Sequence, residues 1–268
     1  MNKINKSGRI AAVTGASKGI GFEICRMLLG KGCKVYGLAR TAGNDDDIHW
    51  IKCDVTDTES VRQAFLHILD TEGRIDILIC NAGVGISGAA EFIPEKDHIM
   101  QTDVNFNGAV RCAAAVVPYM REAGSGRIVF ISSLAAIFPL PFQGFYSATK
   151  AALNAYSDSL GIELAPFGIE TSAVMLNDVK TEFTENRKKT RTGDDIYGGR
   201  IEASVSKMEK SEQTGMSPEK VADTVGRILE RRKMPPHKIV GFSNEILGFL
   251  FRILPTSVLV KLLKFIYG

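Results

Sequence analysis

Few residues of this 268-residue chain suit metal binding or disulfide bonding. The four histidines are scattered, and the five cysteines lack the spacing of a metal site. Because the number of cysteines is odd and several fall in apolar segments, we expect buried free thiols, no structural metal and a cytoplasmic location. The net charge of +3 is too small to indicate nucleic-acid binding.

Long uninterrupted apolar runs are also missing. No apolar run approaches the length of about 20 residues that spans a bilayer. The segment 1–7 is short and polar, unlike a signal peptide. Segment 244–268 is nevertheless apolar and aromatic, with interruptions at Arg252, Pro255, Lys261 and Lys264. It packs over a pocket or a partner subunit, lies in a membrane interface as a peripheral contact, or spans the membrane. Pro255 predicts a break between two short helices.

The chain does contain a regular alternation of strand and helix patterns. Apolar runs predict seven strands, at residues 10–13, 34–39, 49–53, 75–80, 127–132, 170–175 and 238–242. Helical periodicity predicts helices at 19–29, 58–71, 96–123 (bent near Pro118), 142–165 and 218–232. This order predicts a single α/β domain, a doubly wound parallel sheet of about seven strands with helices on both faces. The domain is expected to cover residues 1–243, with 244–268 as its helical tail.

Two residues of the helix predicted at 142–165 form a candidate proton-transfer pair. Tyr146 and Lys150 are four positions apart, so their side chains lie on one face of the helix. An ammonium beside a phenol favours the phenolate, which predicts a tyrosine pKa below the ordinary value of about 10. Such a tyrosine moves a proton near neutral pH, although a Tyr-x-x-x-Lys pair by itself is most often a surface coincidence.

A glycine-rich turn follows the first predicted strand and opens the first helix. Its candidate ligand-binding residues are Gly15, Ser17, Lys18, Gly19, Ile20 and Gly21. Glycines at these positions permit a tight turn and a close approach of the backbone to a pyrophosphate, at the positive end of the helix dipole. A glycine turn without a ligand is the alternative, and the strand–turn–helix context disfavours it. Because Gly15, Asn81 and Ser133 all follow predicted strands, they should meet at the carboxyl edge of the sheet, where ligands bind.

Taken together, these motifs resemble the short-chain dehydrogenase/reductase family. The glycine turn, the Asn-Ala-Gly segment at 81–83, Ser133 and the Tyr146–Lys150 pair fall in the family order. Ser133 precedes Tyr146 by thirteen positions, which also fits the family pattern. The resemblance covers about residues 8–242 and implies a single Rossmann-like domain with NAD(P)H-dependent chemistry on carbonyl and alcohol groups.

The resemblance implies roles for four catalytic residues. Tyr146 is expected to be the general acid and base, and Ser133 to donate a hydrogen bond to the carbonyl oxygen. Lys150 is expected to lower the tyrosine pKa and to bind the nicotinamide ribose. Asn105 matches the family asparagine that holds a water in a proton relay to Lys150, and Asn107 is a nearby competitor for that role.

The end of the second strand predicts the type of cofactor. NAD-preferring proteins have an acid there for the ribose 2′-hydroxyl, whereas this chain has Ala39 and Arg40. A guanidinium at Arg40, with Lys18, suits a 2′-phosphate, so NADP(H) is favoured unless both are solvated surface cations. By resemblance, further cofactor contacts come from Asp54, Val55, Asn81, Ala82, Gly83, Val179 and Thr181.

One segment departs from the family pattern. Leu176 and Asn177 stand where the family usually has Pro-Gly before Val179, which predicts a differently built turn in which Asn177 tolerates a positive φ. The following segment, 180–215, lies where the family keeps a mobile substrate lid. A disordered surface insertion is the alternative for this segment.

The surroundings of the tyrosine indicate an apolar substrate. Phe138, Leu140 and Phe142 could form an apolar pocket wall, and segments 141–142 and 163–169 resemble the hydroxysteroid and retinol dehydrogenase branch. We therefore expect interconversion of a ketone and a secondary alcohol on a steroid-like or lipid-like molecule, by a homodimer or homotetramer of the kind common in the family. The alternatives are a 3-oxoacyl or small-carbonyl reductase, a non-catalytic NADP-binding regulator, and an epimerase or dehydratase of the extended branch.

Overall fold

The computed structural model describes residues 8–267, so the polar start at 1–7 and Gly268 lie outside the described residues. Its strands are β1 (Ile10–Thr14), β2 (Lys34–Ala39), β3 (His49–Lys52), β4 (Ile77–Cys80), β5 (Ile86–Ser87), β6 (Gly126–Ser133), β7 (Ile169–Leu176), β8 (Lys188–Lys189) and β9 (His237–Ile239). Its α-helices are α1 (Gly19–Gly30), α2 (Thr58–Glu72), α3 (Glu95–Thr102), α4 (Gly108–Glu122), α5 (Gly144–Leu164), α6 (Arg200–Gln213), α7 (Pro218–Leu229), α8 (Phe242–Ile253) and α9 (Thr256–Tyr267).

Seven strands form one parallel sheet in the order β3-β2-β1-β4-β6-β7-β9. The chain builds outward from β1 in one direction and then from β4 in the other, so the switch point lies between β1 and β4. This arrangement confirms the predicted doubly wound sheet of seven strands. Ligands in such folds bind outside the carboxyl ends of the strands at the switch point.

Apolar side chains cover both faces of the sheet. Ala12 of β1 and Leu78 of β4 pack into the layer formed with α2, α4 and α5. Ala11 and Ile77, their chain neighbours, pack into the opposite layer with α1 and α7. Successive residues of a strand point to opposite faces, and both faces are buried here, which explains why the strands are continuous apolar runs.

The helix predicted at 96–123 is interrupted. A π-helical turn at Asp103–Asn107 separates α3 from α4, and the Gly108 amide donates to the Asp103 carbonyl five residues earlier. π-helical turns are rare and usually a single turn long, so an overall helical pattern across the segment predicts one continuous helix. Pro118 lies inside α4. The strand predicted at 238–242 is also too long, because Gly241, at φ 92°, turns the chain and α8 begins at Phe242.

The tail folds as two helices, α8 and α9, which meet at Leu254 and Pro255 as the proline predicts. Leu259 and Leu263, on the inner face of α9, are buried against the main body of the protein. Within residues 8–267, no helix combines the length and apolarity needed to cross a bilayer.

The five cysteines are free and buried. Burial penalises the thiolate and raises the pKa of Cys25 to about 12 and that of Cys53 to about 11. Among residues 8–267, no group of three or more His, Cys, Asp or Glu side chains could hold a metal ion.

Candidate active site

The glycine turn is closed by neighbouring backbone. Gly15 and Gly19 have φ values of +62° and +58°, which disfavour a side chain. A Cβ at Gly15 would lie 2.9 Å from the Cα of Ala82, and one at Gly21 would collide with the Gly15 carbonyl oxygen. The N-cap residue of α1, Lys18, makes no side-chain capping hydrogen bond. The first amides of α1 therefore suit an anionic ligand.

Asn81 fastens this turn to the end of β4. Its Nδ2 donates to the carbonyl oxygens of Thr14, at 3.0 Å, and Gly15, at 3.1 Å. The backbone amides of Asn81 and Ala82 both donate to the Thr14 hydroxyl, at 3.0 and 3.1 Å. Asn81 thus joins β1 and β4 at the switch point of the sheet. Thr14, which begins the glycine motif and was assigned no role from the sequence, is the buried centre of these bonds.

Two cations stand beside the predicted ribose site. Arg40 is exposed at the end of β2, close enough to Asp54 to contribute to the lowered pKa of that carboxyl. The main cause of the lower pKa is the backbone amide of Thr56, which donates to Asp54 at 2.9 Å. Lys18 forms an ion pair with Glu182 at 2.8 Å. Both partners are exposed, so the pair contributes little and a phosphate could replace it.

A cleft lies beside the glycine turn. It is lined by Ser17, Lys18, Gly19, Phe22, Ala42, Gly43, Asn44 and Glu182. Next to the predicted adenine site, Val55 is buried against Gly108, where a Cβ would lie 2.8 Å from the Val55 Cγ2. Arg111 donates to the Val55 carbonyl at 3.1 Å and so fixes this corner.

The segment after β7 folds back over the glycine turn. Thr181 lies beside Gly19, whose Cβ would be 3.5 Å from the Thr181 Cβ, and Val179 is buried and bridges to Met216. The expected positive φ at Asn177 is wrong, because Phe142, at 58°, is the one non-glycine residue of the described chain with a positive φ. Asn177 instead donates to the Asn244 side chain at 3.3 Å, so a contact with α8 stabilises the turn.

Tyr146 is half-buried on the first turns of α5 and forms a hydrogen bond with Ser133, the last residue of β6. Burial raises the pKa of Tyr146 to about 12, and the Ser133 hydrogen bond opposes this rise only partly. The expectation that Lys150 lowers the pKa is therefore wrong for this structure. Desolvation of the phenolate outweighs the stabilising contacts.

Lys150 is buried, and its ammonium is directed at the backbone. Its Nζ donates to the Ile131 carbonyl at 2.8 Å and lies 5.7 Å from the centre of the Tyr146 ring. Burial lowers the pKa of Lys150 to about 8. The spacing of four residues does place both side chains on one face. The Lys150 ammonium, however, donates its hydrogen bond to the Ile131 carbonyl, whereas the sequence predicts the Tyr146 phenol as its partner.

Asn105 lies in the π-helical turn and holds the segment that follows β4. Its Oδ1 accepts from the Val84 amide at 2.8 Å, and its Nδ2 donates to the Val84 carbonyl at 3.0 Å and to Thr149 at 3.3 Å. Gly83 lies between Asn105 and Lys150, since a Cβ there would be 3.5 Å from the Asn105 Oδ1 and 3.9 Å from the Lys150 Nζ. Asn107 instead bonds Asp103 within its own turn.

Apolar side chains flank Ser133 and Tyr146. Leu134 and Phe138, just after Ser133, pack against Leu259 and Leu263 of α9. A second cluster forms where α6 packs on Phe92, Leu140, Phe142 and Tyr197. The expected wall residues Phe138, Leu140 and Phe142 thus belong to two apolar clusters that meet at Leu140.

The segment 180–215, which we call the lid, is folded. It contains β8, which pairs in parallel with β5, and most of it beyond residue 200 is α6. Three lid residues near the tyrosine were not predicted: Phe183, whose ring centre is 6.0 Å from that of Tyr146, and the ion-paired Arg187 and Glu212. Their only signal in the sequence is a position in a segment expected to cover the substrate.

Comparisons with known proteins agree with the fold and the site. The family model for short chain dehydrogenases matches residues 9–192. The chain is 39% identical over 242 residues to a 3-ketodihydrosphingosine reductase of Bacteroides thetaiotaomicron, covering 89% of this chain and 90% of that one. It is 34% identical over 193 residues to human 17-beta-hydroxysteroid dehydrogenase type 1, covering 66% of this chain and 58% of that one.

A solved structure has the same architecture. A short-chain dehydrogenase from Streptomyces avermitilis superposes with a TM-score of 0.85 and 28% identity, covering 98% of this chain and 97% of that one. The protein therefore belongs to the short-chain dehydrogenase/reductase family. Members are oxidoreductases that act on CH–OH and C=O groups with nicotinamide cofactors.

The residues present fit a nicotinamide dinucleotide. The glycine turn has no room for side chains at Gly15 and Gly21, and it leads directly into the first amides of α1. Thr181 covers the turn from the opposite side. A pyrophosphate binds at the amino terminus of a helix, where glycines let the backbone approach it closely. The glycine turn, the start of α1 and the cleft beside them meet these requirements.

Proposed function

We propose that this protein is an NADPH-dependent oxidoreductase that interconverts a ketone on a long, lipid-like molecule and the corresponding secondary alcohol. The observation that carries this proposal is the pairing of Ser133 with Tyr146 beside the apolar cluster of Leu134, Phe138 and α9. The similarity to a 3-ketodihydrosphingosine reductase supports a long-chain amino ketone as the substrate. The Ser133–Tyr146–Lys150 arrangement disfavours a non-catalytic regulator.

Residues of this chain supply the proton in the proposed reaction. A nicotinamide cofactor, when bound, would supply the hydride for the carbonyl carbon. Tyr146, protonated at neutral pH because its pKa is about 12, donates a proton to the carbonyl oxygen as charge develops there. Ser133 donates a hydrogen bond to the same oxygen while its Oγ accepts from the Ala135 amide at 3.1 Å. Lys150 would hold the nicotinamide ribose and, with Asn105 across Gly83, would order a water that returns a proton to Tyr146.

NADP(H) is the proposed cofactor because the end of β2 has a cation and no acid. Arg40 can hold a 2′-phosphate with two parallel hydrogen bonds, and Lys18 can add a second charge. Gly15, Ser17, Gly19, Ile20 and Gly21 would hold the pyrophosphate. Asp54 and Val55 would contact the adenine, and the ribose and carboxamide contacts are those of Asn81, Ala82, Gly83, Val179 and Thr181.

A homodimer or homotetramer is the proposed assembly. Large apolar side chains are exposed along α3 to α5 and just after α5, at Ile99, Met100, Tyr119, Ile162 and Phe167. Apolar side chains grouped on neighbouring helices are typical of a protein interface. A second copy of the chain would bury these residues by helix–helix packing.

A membrane surface is the proposed partner of the tail. The outer faces of α8 and α9 expose Phe242, Ile246, Phe249, Leu250, Ile253, Val258, Val260, Leu262 and Phe265. No acidic residue follows Glu245 in the sequence, whereas Arg252, Lys261 and Lys264 do. An apolar face with the exposed Lys261 and Lys264 on the same helix matches anionic headgroups above acyl chains. A lipid substrate could then reach the catalytic residues beside the inner face of α9.

A steroid ketone is the second candidate substrate, favoured by the similarity to the human hydroxysteroid dehydrogenase. The test is a comparison of NADPH oxidation with 3-ketodihydrosphingosine, a steroid ketone and a short 3-oxoacyl thioester, with the alcohol product identified by mass spectrometry. We expect the long-chain amino ketone to have the highest kcat/KM. The highest kcat/KM on either of the other ketones would contradict the proposed substrate.

The variant that tests the chemistry is Tyr146→Phe, which removes only the hydroxyl. We expect kcat to fall by about 10²–10⁴-fold, the usual contribution of general acid catalysis. NADPH binding, followed by its fluorescence, should stay close to that of the wild type. A variant that keeps a tenth or more of the wild-type kcat would show that another group is the acid.

A further inference from the structure

Arg187 is a buried cation in the lid. Its side chain is 1% exposed, and its Nη2 forms an ion pair with Glu212 of α6. The second carboxylate oxygen of Glu212 accepts from the Thr184 hydroxyl at 2.6 Å. A buried guanidinium is costly unless charges and hydrogen bonds compensate it, so this arrangement needs a physical reason.

Two of its nitrogens have no acceptor. Within the described part of the chain, neither the Nε nor the Nη1 of Arg187 has a hydrogen-bond partner, although both are buried. The Phe183 ring stacks near the guanidinium, with its centre 5.7 Å from the Cζ. A ring face attracts the charge of a guanidinium but does not replace oxygen acceptors for its in-plane N–H groups. Buried donors of this kind normally have a partner, such as a ligand or an ordered water.

The pair lies next to the catalytic tyrosine. Phe183, between Arg187 and Tyr146, has its ring centre 6.0 Å from that of Tyr146. Arg187 lowers and Glu212 raises the pKa of the Tyr146 hydroxyl, so both charges are close to the reacting centre. Gly85 closes the other side, because a Cβ there would be 2.9 Å from the Phe183 Cζ and 3.4 Å from the Arg187 Cγ.

The charges of this group do not balance. Asp178 is close to both members of the pair, since each affects the pKa of its carboxyl, and it accepts from Ser211 at 2.5 Å. Two ionised carboxylates and one guanidinium would carry a net charge of −1. Burial raises the pKa of the Asp178 carboxyl, as expected for a buried carboxylate without enough compensating positive charge. A ligand that satisfies the cluster therefore offers a cationic group together with an oxygen that accepts hydrogen bonds.

We propose that Arg187, Glu212 and Asp178 form a polar subsite for the head of the substrate, which binds an ammonium and a hydroxyl oxygen close to the reacting ketone. The Nε and Nη1 of Arg187 donate to the hydroxyl oxygen, and the carboxylates accept from the ammonium. This inference rests on the proposed function. It adds that the chain recognises a ketone by polar groups on the adjoining carbons as well as by an apolar tail.

The test compares two long-chain substrates that differ in one hydroxyl group, 3-ketodihydrosphingosine and its 1-deoxy analogue, with NADPH and the full chain. A site built to bond a substrate hydroxyl rejects the analogue that lacks it, so the wild type should prefer the hydroxylated ketone at least about 10-fold in kcat/KM. Arg187→Met should reduce this preference to about 1 by slowing the hydroxylated substrate alone. Arg187→Lys, which keeps the charge, should retain part of it.

Lys189→Met is the matched control. Lys189 lies two positions further along the lid and forms a more exposed ion pair with Glu209 of α6, so this variant removes another contact between the lid and α6 outside the proposed subsite. It should keep the wild-type preference. If the wild type reduces both ketones equally well, or if both Arg187 variants leave its preference unchanged, the subsite is wrong while the proposed function stands. If the wild type reduces neither long-chain ketone, the proposed function fails and this inference fails with it.

Discussion

Burial shifts the pKa values of Tyr146 and Lys150 in opposite directions, and both shifts favour the neutral form. The tyrosine pKa rises to about 12 and the lysine pKa falls to about 8. A protonated tyrosine is the state that reduction of a ketone requires. Lys150, in contrast, is still mostly charged at pH 7, and burying its charge lowers the stability of the folded protein. Such a loss of stability is common at active sites.

Lys150→Met should show this cost in the free energy of unfolding. Below pH 8 the lysine is charged in both states, so the full burial penalty of about 3 kcal/mol destabilises the wild type. Between pH 8 and 10.5 the unfolded lysine keeps its proton while the folded one loses it, so the wild type gains stability as the pH rises. The variant should therefore be more stable than the wild type at pH 7, with an advantage that shrinks toward pH 10.5.

Urea unfolding at several pH values measures this difference, and turnover should be lost in the same variant. A difference in unfolding free energy that does not change between pH 8 and 10.5 would contradict the lowered pKa of Lys150.

Arg40→Asp tests the cofactor preference. The change removes a hydrogen-bonded charge worth about 1.5–3 kcal/mol on a phosphate and adds repulsion, so the KM for NADPH should rise by at least about 10-fold. The KM for NADH should change little or fall. The control is Arg62→Asp, which alters an exposed arginine of α2 instead. An equal effect on both cofactors would argue against a 2′-phosphate site at Arg40.

At the scale of elements, the tail helices have two different faces. The inner face of α9 packs with Leu259 and Leu263 on the residues that follow Ser133, and the outer faces of α8 and α9 are exposed and apolar. Pro255 separates the two helices because proline cannot continue the hydrogen-bond ladder, so each helix can present its own apolar face.

The double variant Phe249→Glu and Phe265→Glu tests the outer face. These side chains are 63% and 89% exposed, so the change should not disturb the fold. In the proposed complex the bilayer buries both aromatic side chains, and burying each one contributes about 1.5–3 kcal/mol to binding. Losing both should therefore weaken vesicle binding by at least about 10-fold. Co-sedimentation with vesicles of phosphatidylcholine, with and without phosphatidylserine, measures this binding, and the anionic vesicles should bind the wild type more tightly. Ile196→Glu, an equally exposed apolar position in the lid, is the control.

Equal sedimentation of the wild type and the double variant on anionic vesicles would exclude the tail as a lipid contact. The same result with a change in oligomeric state would assign the outer face to another copy of the chain.

At the scale of the whole molecule, the proposed assembly and the proposed membrane contact use separate surfaces. Ile162, which is 78% exposed on α5, lies among the apolar residues assigned to the subunit interface. Ile162→Glu should place a charge in that interface and shift the protein toward monomer at micromolar concentration. Light scattering coupled to gel filtration measures the mass. The Phe249→Glu and Phe265→Glu variant should keep the wild-type mass, and a wild type that is already monomeric would contradict the proposal.

Most of the fold, and the central residues of the candidate site as a prediction, follow from the sequence. The strand at 34–39 and the start of the helix at Gly19 follow from apolar periodicity and glycine placement, because both faces of the sheet are buried and each element carries its own pattern. Tyr146 stands out through its spacing from Lys150 along one helix, the glycine turn through its position after one strand, and Ser133 through the family resemblance. Such features depend on neighbours in the chain, which is why a sequence reveals them.

What the sequence by itself determined is therefore the doubly wound sheet, the position of the site at its carboxyl edge and the residue types available there. Only the tertiary structure decided where the charges lie. The Ile131 carbonyl takes the Lys150 ammonium, burial raises the tyrosine pKa, and Arg187 meets Glu212 beside Tyr146. Electrostatic energies depend on distance and burial in space, and these are set by residues from β6, α5 and the lid that no local pattern connects.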